Sequence, residues 1–418
     1  MTDLLWPGMA RADGLLTDRS LVAAVVRVEV AWYEVLAGAG VAPTAELPSV
    51  NDLAGLSDQQ LAELAGAAES GGNMVIPLLQ LLRSRLAEPY PQVVGWLHKG
   101  LTSQDTLDTA LVLELRGTLG AVLAEIINQV ATLRDLAVRH RSTVTAGRTL
   151  TQHAVPTTFG LIAANWLHAV LDAASDLTDA RDNLPVQVGG AAGTLAAMAE
   201  LAGNPTDLPR RARNLADELA VRLGLRPSVP WHTDRRPLTR AGDALVAVTD
   251  AWGQVANDVL LRSRPEVAEL SEGSVPGRGG SSTMPHKQNP VLAILIKRAA
   301  LTAPGLGATL HTAAAAMVDQ RPDGGWHAEW SPLRTLARQT VVVARQTTEL
   351  LAGLVVHDDR MLRVAEDAAA DLLAEQRSIR ELRPDAPTSQ GLDSYLGAAD
   401  LIIDDVVALA DRFVEEAG

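Results

Sequence analysis

The segment Gly279-Gly280-Ser281-Ser282-Thr283-Met284-Pro285-His286-Lys287-Gln288-Asn289-Pro290 sets hydroxyls, a cation and a helix start close together, at the end of a stretch that glycine keeps irregular. Gly273, Gly277, Gly279 and Gly280, with Pro276 among them, forbid regular structure from Glu272 to Gly280 and predict a mobile segment of the kind used as an active-site lid. Asn289 reads as an N-cap and Pro290 as the first position of the following helix, so that free N–H groups and the positive end of the helix dipole face the loop. That combination binds a carboxylate, and Lys287 beside it adds a full positive charge. The alternative is a Gly/Ser surface linker before an ordinary helix. Lysine usage weighs against it: the chain has only Lys99, Lys287 and Lys297 among 36 basic residues, so a lysine inside this motif is not compositional filler.

Two further stretches stand just ahead of long helical segments. His98-Lys99-Gly100-Leu101-Thr102-Ser103-Gln104-Asp105 carries Thr102 or Ser103 as N-cap, and a plain cap explains those residue types as readily as a binding site does. Gly147-Arg148-Thr149-Leu150-Thr151-Gln152-His153-Ala154-Val155-Pro156-Thr157-Thr158-Phe159-Gly160 also leads into a long helix, with Pro156 near its first turn. His153 reads there as a proton donor, a residue that positions a carboxylate, or a structural histidine at a helix start. Arg11, Arg148, Arg278 and Arg334 are candidates to clamp a carboxylate, Arg278 foremost because it lies in the loop. The nine histidines are scattered without metal-ligand spacing, so neither a metal nor an organic cofactor is expected.

The loop motif resembles the signature of the fumarase/aspartase superfamily, homotetrameric helical enzymes that form or break a C–X bond β to a carboxylate. The match is nearly residue for residue. The resemblance implies that Ser281 is the catalytic base and that Lys287 and Asn289 hold a substrate carboxylate; Arg278, Ser282 and Met284, in the same loop, are further candidates for substrate contacts. By the same resemblance Thr102 and Ser103 bind a carboxylate, His98 lies near the pocket, and Gln152 and His153 belong to the third superfamily region. The residue types suit the chemistry. Removing a proton from carbon beside a carboxylate makes an aci-carboxylate with about two negative charges, which needs fixed donors and a cation. A serine is a poor base unless neighbouring backbone N–H groups stabilise its oxyanion, and a glycine-rich turn can supply them.

The chain departs from the superfamily pattern at one function. Many members carry a histidine directly after the threonine of the third region as general acid, and this chain has Leu150. The glutamate that supports that histidine in adenylosuccinate-cleaving members falls at Ile294. Leucine cannot donate a proton, so the resemblance implies a leaving group that needs none. A carboxylate qualifies, its conjugate acid having a pKa near 4. Thr102-Ser103-Gln104-Asp105 with Asp108-Thr109-Ala110-Leu111, Gln152-His153-Ala154, and Gly325-Trp326-His327-Ala328-Glu329-Trp330 all look like the bacterial cycloisomerase branch. That branch closes a lactone on 3-carboxy-cis,cis-muconate in aromatic-acid catabolism. The likeness runs over about residues 90 to 335.

Helices must position these motifs. Apolar residues recur at helical spacing from Asp18 to Leu36, Ser57 to Gln60 reads as a capping box, and strand signals are nearly absent. Five long helices are expected: Asp105 to about His140, roughly 54 Å at 1.5 Å per residue, then Pro156 to about Asn183, Leu238 to about Leu270, Pro290 to about Val318 and Ser331 to about Leu351. The fold class is all-α, with residues 1–104 as an N-terminal helical domain, 105–351 as a long-helix bundle carrying the catalytic loop 272–289, and 352–418 as a small C-terminal helical domain. Pro185–Gly190 reads as a short extended turn, with no sheet. The alanine-rich helices are apolar on two sides, more than one bundle buries, so subunits are expected to share them in a homotetramer with a 20-helix core. Trp326, Glu329 and Trp330 are expected to anchor the bundle and a subunit contact.

At 47% hydrophobic, 21% charged and 3% aromatic residues the chain is a soluble globular protein with an aliphatic core. A net charge of −14 disfavours nucleic acid and anionic membranes as partners, leaving a small polycarboxylate met by a local basic pocket. The absence of cysteine excludes disulfides and thiol chemistry. No secretory start and no uninterrupted apolar run of about 18 residues is present, so the expected location is cytoplasmic. The leading reading is a cycloisomerase working through Ser281. A β-elimination lyase that releases fumarate from an adenylosuccinate-like or nitrosuccinate-like substrate is the nearest rival, and a non-catalytic helical tetramer the third.

Overall fold

A computed structural model describes residues 3–203, 207–273, 275–281, 283–284, 287–383 and 391–417. Ser282, expected among the substrate contacts, lies outside the described residues, as do Pro285 and His286. The protein is mostly helical. Its long helices are Ser103–Arg139, Phe159–Asp182, Arg236–Arg262, Val291–Ala315 and Gly324–Ala352, of 24 to 37 residues. The helix Asp18–Gly38 begins at a capping box between Thr17 and Ser20, and Asp58–Gly71 at one between Ser57 and Gln60, as the sequence predicts for the latter.

The chain divides into two compact units. One comprises residues 1–121, 177–245 and 304–341, the other residues 122–176, 246–303 and 342–418. Both cores are aliphatic, with few aromatics in a supporting role. In the first unit a fully buried Arg235 forks onto Asp108 (2.7 and 3.0 Å) and onto Glu329, while Trp326 donates to Asp108 at 2.8 Å. Two of the long helices and the residue just before a third are thereby tied by one cluster. In the second unit Trp252 donates to Gln129 (2.8 Å), whose amide in turn donates to the Ala344 carbonyl (2.9 Å), so polar groups inside the helix packing are satisfied.

Several element boundaries differ from expectation, each for a local reason. Residues 144–158 form a hairpin: β1 (Val144–Thr149) pairs antiparallel with β2 (Gln152–Thr158), with a bulge between Ala146 and Arg148. Pro156 therefore lies in a strand, opposite Ala146, and the helix starts only at Phe159. A two-stranded sheet has free outer edges, so a residue without an N–H is tolerated there. A second small sheet pairs β3 (Leu270–Glu272) with β4 (Leu354–Val356). The helix expected to reach Leu270 stops at Arg262, because Pro265 pushes the residue before it out of helical conformation and Ala268 sits at φ 52°. Conversely, the helix expected at Ser331 starts at Gly324. A side chain on Gly325 would come within 3.1 Å of the Ala313 carbonyl, so glycine here serves close helix approach and not a loop.

Candidate active site

In the first unit the His98–Asp105 motif folds as a strained turn entering the longest helix. His98 has φ 65° and Gly100 φ 86°. The strain is held by neighbours: Trp32 donates to the Lys99 carbonyl at 2.7 Å, and His98 Nδ1 lies 2.7 Å from the buried carboxylate of Glu29, which also accepts from Thr106 at 2.9 Å. Glu29 thus orients the imidazole and leaves its Nε2 unengaged among the described residues. Because the helix begins at Ser103, Thr102 is the N-cap, and its N–H donates to Asp105 at 3.0 Å. Neither the Thr102 nor the Ser103 hydroxyl has a partner among the described residues. The helix start accordingly presents two hydroxyls and orphan N–H groups, which is chemistry suited to an anion.

In the second unit the loop after β3 is clasped at its base. Asn289 donates to the Gly279 carbonyl through both its backbone N–H (2.8 Å) and its side-chain amide (2.9 Å), and Gly280 bridges Gln288. Gly279, at φ 76°, has the Asn289 carbonyl where a Cβ would sit, 2.6 Å away, so only glycine closes this clasp. Within it Ser281 Oγ accepts from the backbone N–H of Met284 at 3.2 Å and of Thr283 at 3.4 Å. Two amide dipoles aimed at one hydroxyl oxygen favour its alkoxide. Lys287 is exposed and the Met284 side chain is 40% exposed.

The helix start behind this loop corrects one expectation. Asn289 is not its cap, since its side chain turns one amide N–H back onto the Gly279 carbonyl and keeps the other. The helix begins at Val291, and its free N–H groups on Leu292 and Ala293 donate to the carboxylate of Glu272, at 3.2 and 2.7 Å. The terminus is therefore filled by the protein's own carboxylate rather than open. Burial raises the Glu272 pKa, against the two N–H groups and Arg278, which lower it. Arg278 is paired with Glu349 and donates to the Gly273 carbonyl at 3.4 Å.

The hairpin carries the third motif. Its turn residues Leu150 and Thr151 are both left-handed, at φ 48° and 70°, although neither is glycine, and Leu150 is 95% exposed. Such a conformation in leucine costs on the order of 1 kcal/mol or more, and the two-residue turn between the paired Thr149 and Gln152 imposes it. Gln152 and His153 follow at the exposed start of β2, where the Gln152 amide donates to Thr151 at 3.3 Å. Arg148, opposite His153 in the register, forks onto the buried Glu269 at 2.7 and 3.1 Å, and Glu269 also pairs with Arg262. Burial lowers the Arg262 pKa, with Arg148 adding to the effect and Glu269 opposing it. A cleft of about 430 Å³ is lined by His153, Arg148, Glu266, Arg360, Asp367 and Asp371 among others. Of the remaining candidate clamps, Arg334 is paired with Asp18 at 2.7 Å.

Sequence reasoning did not find Glu272, Glu269 or Glu29. Each acts on a residue or backbone group supplied from elsewhere in the chain, and no local spacing signals them. The motifs themselves are placed on the elements that orient them: a helix start, a clasped loop and a hairpin tip.

Known proteins resemble this chain across most of its length. A family model described as Lyase matches residues 21–305. A nitrosuccinate lyase of Streptomyces davaonensis is 40% identical over 373 residues, covering 89% of this chain and 78% of that protein. A 3-carboxy-cis,cis-muconate cycloisomerase of Bradyrhizobium diazoefficiens is 37% identical over 346 residues, covering 82% and 74%. The crystal structure of the 3-carboxy-cis,cis-muconate lactonizing enzyme from Pseudomonas putida superposes with a TM-score of 0.81 at 32% identity, covering 95% of this chain and 96% of that one.

Proposed function

The chain belongs to the lyase family, within the fumarase/aspartase superfamily, and we propose that it is a cycloisomerase that closes or opens a lactone on 3-carboxy-cis,cis-muconate in aromatic-compound catabolism. Membership makes it an enzyme of the lyase/cycloisomerase type, which sets aside the non-catalytic scaffold. The observation that carries the proposal is the pair of N–H groups on Ser281 Oγ, the feature a serine base needs. In the opening direction the Ser281 alkoxide takes the proton from carbon beside a carboxylate. The electron pair forms the C=C bond, and the ring C–O bond breaks to release the internal carboxylate. Lactonisation is the reverse, with Ser281 returning the proton. Lys287, Asn289, Thr102 and Ser103 hold the carboxylates, Gln152, Met284 and Arg278 line the substrate, and His153 stands near the reacting carbon. No proton-donating side chain is needed where Leu150 stands, because the leaving group is a weak base.

A second reading rests on the 40% identity to a nitrosuccinate lyase. Nitrite is also a weak base, so the same machinery would take the proton and expel nitrite, leaving fumarate. Loss of the conjugated-diene absorbance with 3-carboxymuconate supports the first reading. Nitrite release from nitrosuccinate, without that loss, supports the second. Inertness toward both sinks the two together.

The same reading makes the enzyme a homotetramer whose long-helix segment, residues 105–351, forms a shared core between the 1–104 and 352–418 parts, with each active site built from more than one subunit. Exposed Ile294 and Leu301 on the apolar helix Val291–Ala315 support it, since such a surface needs a cover. Light scattering is expected to give four times the 44.1 kDa chain mass, and a monomeric enzyme with full activity would contradict it.

A further inference from the structure

One buried carboxylate near the first motif is engaged more heavily than a helix cap requires. Asp105 is almost fully buried and accepts from five donors. Oδ1 receives Gln187 Nε2 (3.0 Å), the Gly189 N–H (2.9 Å) and His232 Nε2 (2.8 Å). Oδ2 receives the N–H groups of Thr102 (3.0 Å) and Gly190 (2.9 Å). The donors come from the helix start, from the 185–190 segment and from the stretch before the Arg236–Arg262 helix, all within the first unit.

The 185–190 segment has the composition for this task. A side chain on Gly189 would strike His232 (2.6 Å) and Pro230 (2.9 Å), and Gly190 sits at φ 71°. Only glycine at both positions lets two successive N–H groups reach one carboxylate. Gln187 is locked as well: its side-chain oxygen accepts from the Trp231 N–H at 2.7 Å, and Thr109 sits against both its N–H and its carbonyl at 3.0 Å.

The cap itself is one-sided. At Thr17/Ser20 and at Ser57/Gln60 the N-cap hydroxyl accepts the N–H of the third helical residue, and that residue's side chain accepts the N-cap N–H, so both bonds are closed. At Thr102/Asp105 only the second bond is present, and the Thr102 hydroxyl stays unspent. We propose that Asp105 is a positioning residue: with the Gly189–Gly190 N–H groups and His232 it fixes the Thr102 backbone so that the Thr102 and Ser103 hydroxyls remain available to a substrate carboxylate. The five donors satisfy its charge internally, so it holds the anion site without repelling the anion as a bare carboxylate would. This inference rests on the reading of Thr102 and Ser103 as carboxylate ligands.

The test compares wild type, Asp105→Asn and Gly190→Ala, with Gln129→Leu as a buried polar substitution in the other unit. Each full-length variant is assayed for turnover of 3-carboxymuconate and of nitrosuccinate, and for inhibition by tricarballylate, an unreactive tricarboxylate. Asp105→Asn leaves one oxygen where two were used, so KM and the inhibition constant are expected to rise by about tenfold or more, with kcat changed much less. Gly190→Ala is expected to do the same from the opposite side of the cluster, and remains informative should Asp105→Asn fail to fold. Gln129→Leu is expected to lower the melting temperature and leave KM alone. Wild-type KM in both hub variants, or an equal KM rise in Gln129→Leu, overturns the positioning role while the functional reading stands. A wild type inert toward both substrates and untouched by tricarballylate overturns that reading, and the positioning role with it.

Discussion

At the scale of single residues, the carboxylates do most to define the site. Glu272 sits where the sequence reserves a helix terminus for substrate, and its two bonds to Leu292 and Ala293 anchor the base of the loop that carries Ser281. Glu272→Ala leaves those N–H groups uncapped and is expected to cost about 1 kcal/mol. A thermal melt checks this; an unchanged melting temperature would show that solvent replaces the carboxylate without loss. The reading of Asn289 as cap failed for a physical reason. A capping residue is recognised by its neighbours in sequence, whereas Glu272 reaches this terminus from 20 residues upstream. Residue types whose partners are local, such as Thr102 before its helix or Ser57 and Gln60, were legible. The partners of Arg148 and His98, namely Glu269 and Glu29, were not.

Among elements, the sequence concealed the small sheets, the hairpin above all. Its turn is Leu150-Thr151 where the usual signal is Asn-Gly or Asp-Gly, and Pro156 interrupts the alternation of β2. A helical reading of this segment was therefore the natural one. The long helices were legible because their apolar spacing persists over many turns, and their ends were not where Pro265 or the close approach at Gly325 decides. The left-handed leucine at the tip gives a test. Asparagine tolerates that conformation better, so Leu150→Asn is expected to stabilise the fold by up to about 1 kcal/mol. If the tip works in the active site, kcat/KM falls in the same variant. A more stable enzyme with unchanged kcat/KM would show that the strained leucine has no catalytic use.

For the whole molecule, the buried cluster of Arg235, Asp108 and Glu329 links stability to pH. One guanidinium faces two carboxylates, so the cluster carries a net negative charge unless it takes up a proton. Burial raises the Glu329 pKa to about 7, with Asp108 adding to the effect and Arg235 opposing it. For Arg235, burial works against the charge, but the two carboxylates more than reverse this and hold its pKa above the ordinary value. The folded state thus keeps the Glu329 proton to a higher pH than the unfolded chain, whose carboxyl releases it near 4.5. Stability from this group is present below about pH 4.5 and is lost as pH rises through 7. Urea midpoints of wild type relative to Glu329→Gln are expected to fall across that window, and a pH-independent difference would contradict the protonated cluster.

The proposed reaction turns on one hydroxyl, and replacing it is the most direct experiment. Ser281→Ala removes the oxygen on which the Thr283 and Met284 N–H groups converge and leaves the clasp between Gly279 and Asn289 in place. Measured on whichever of the two substrates the wild type turns over, kcat is expected to fall by about 10²–10⁴-fold, with inhibition by tricarballylate largely retained. A variant that keeps kcat within about threefold of wild type would show that another group moves the proton.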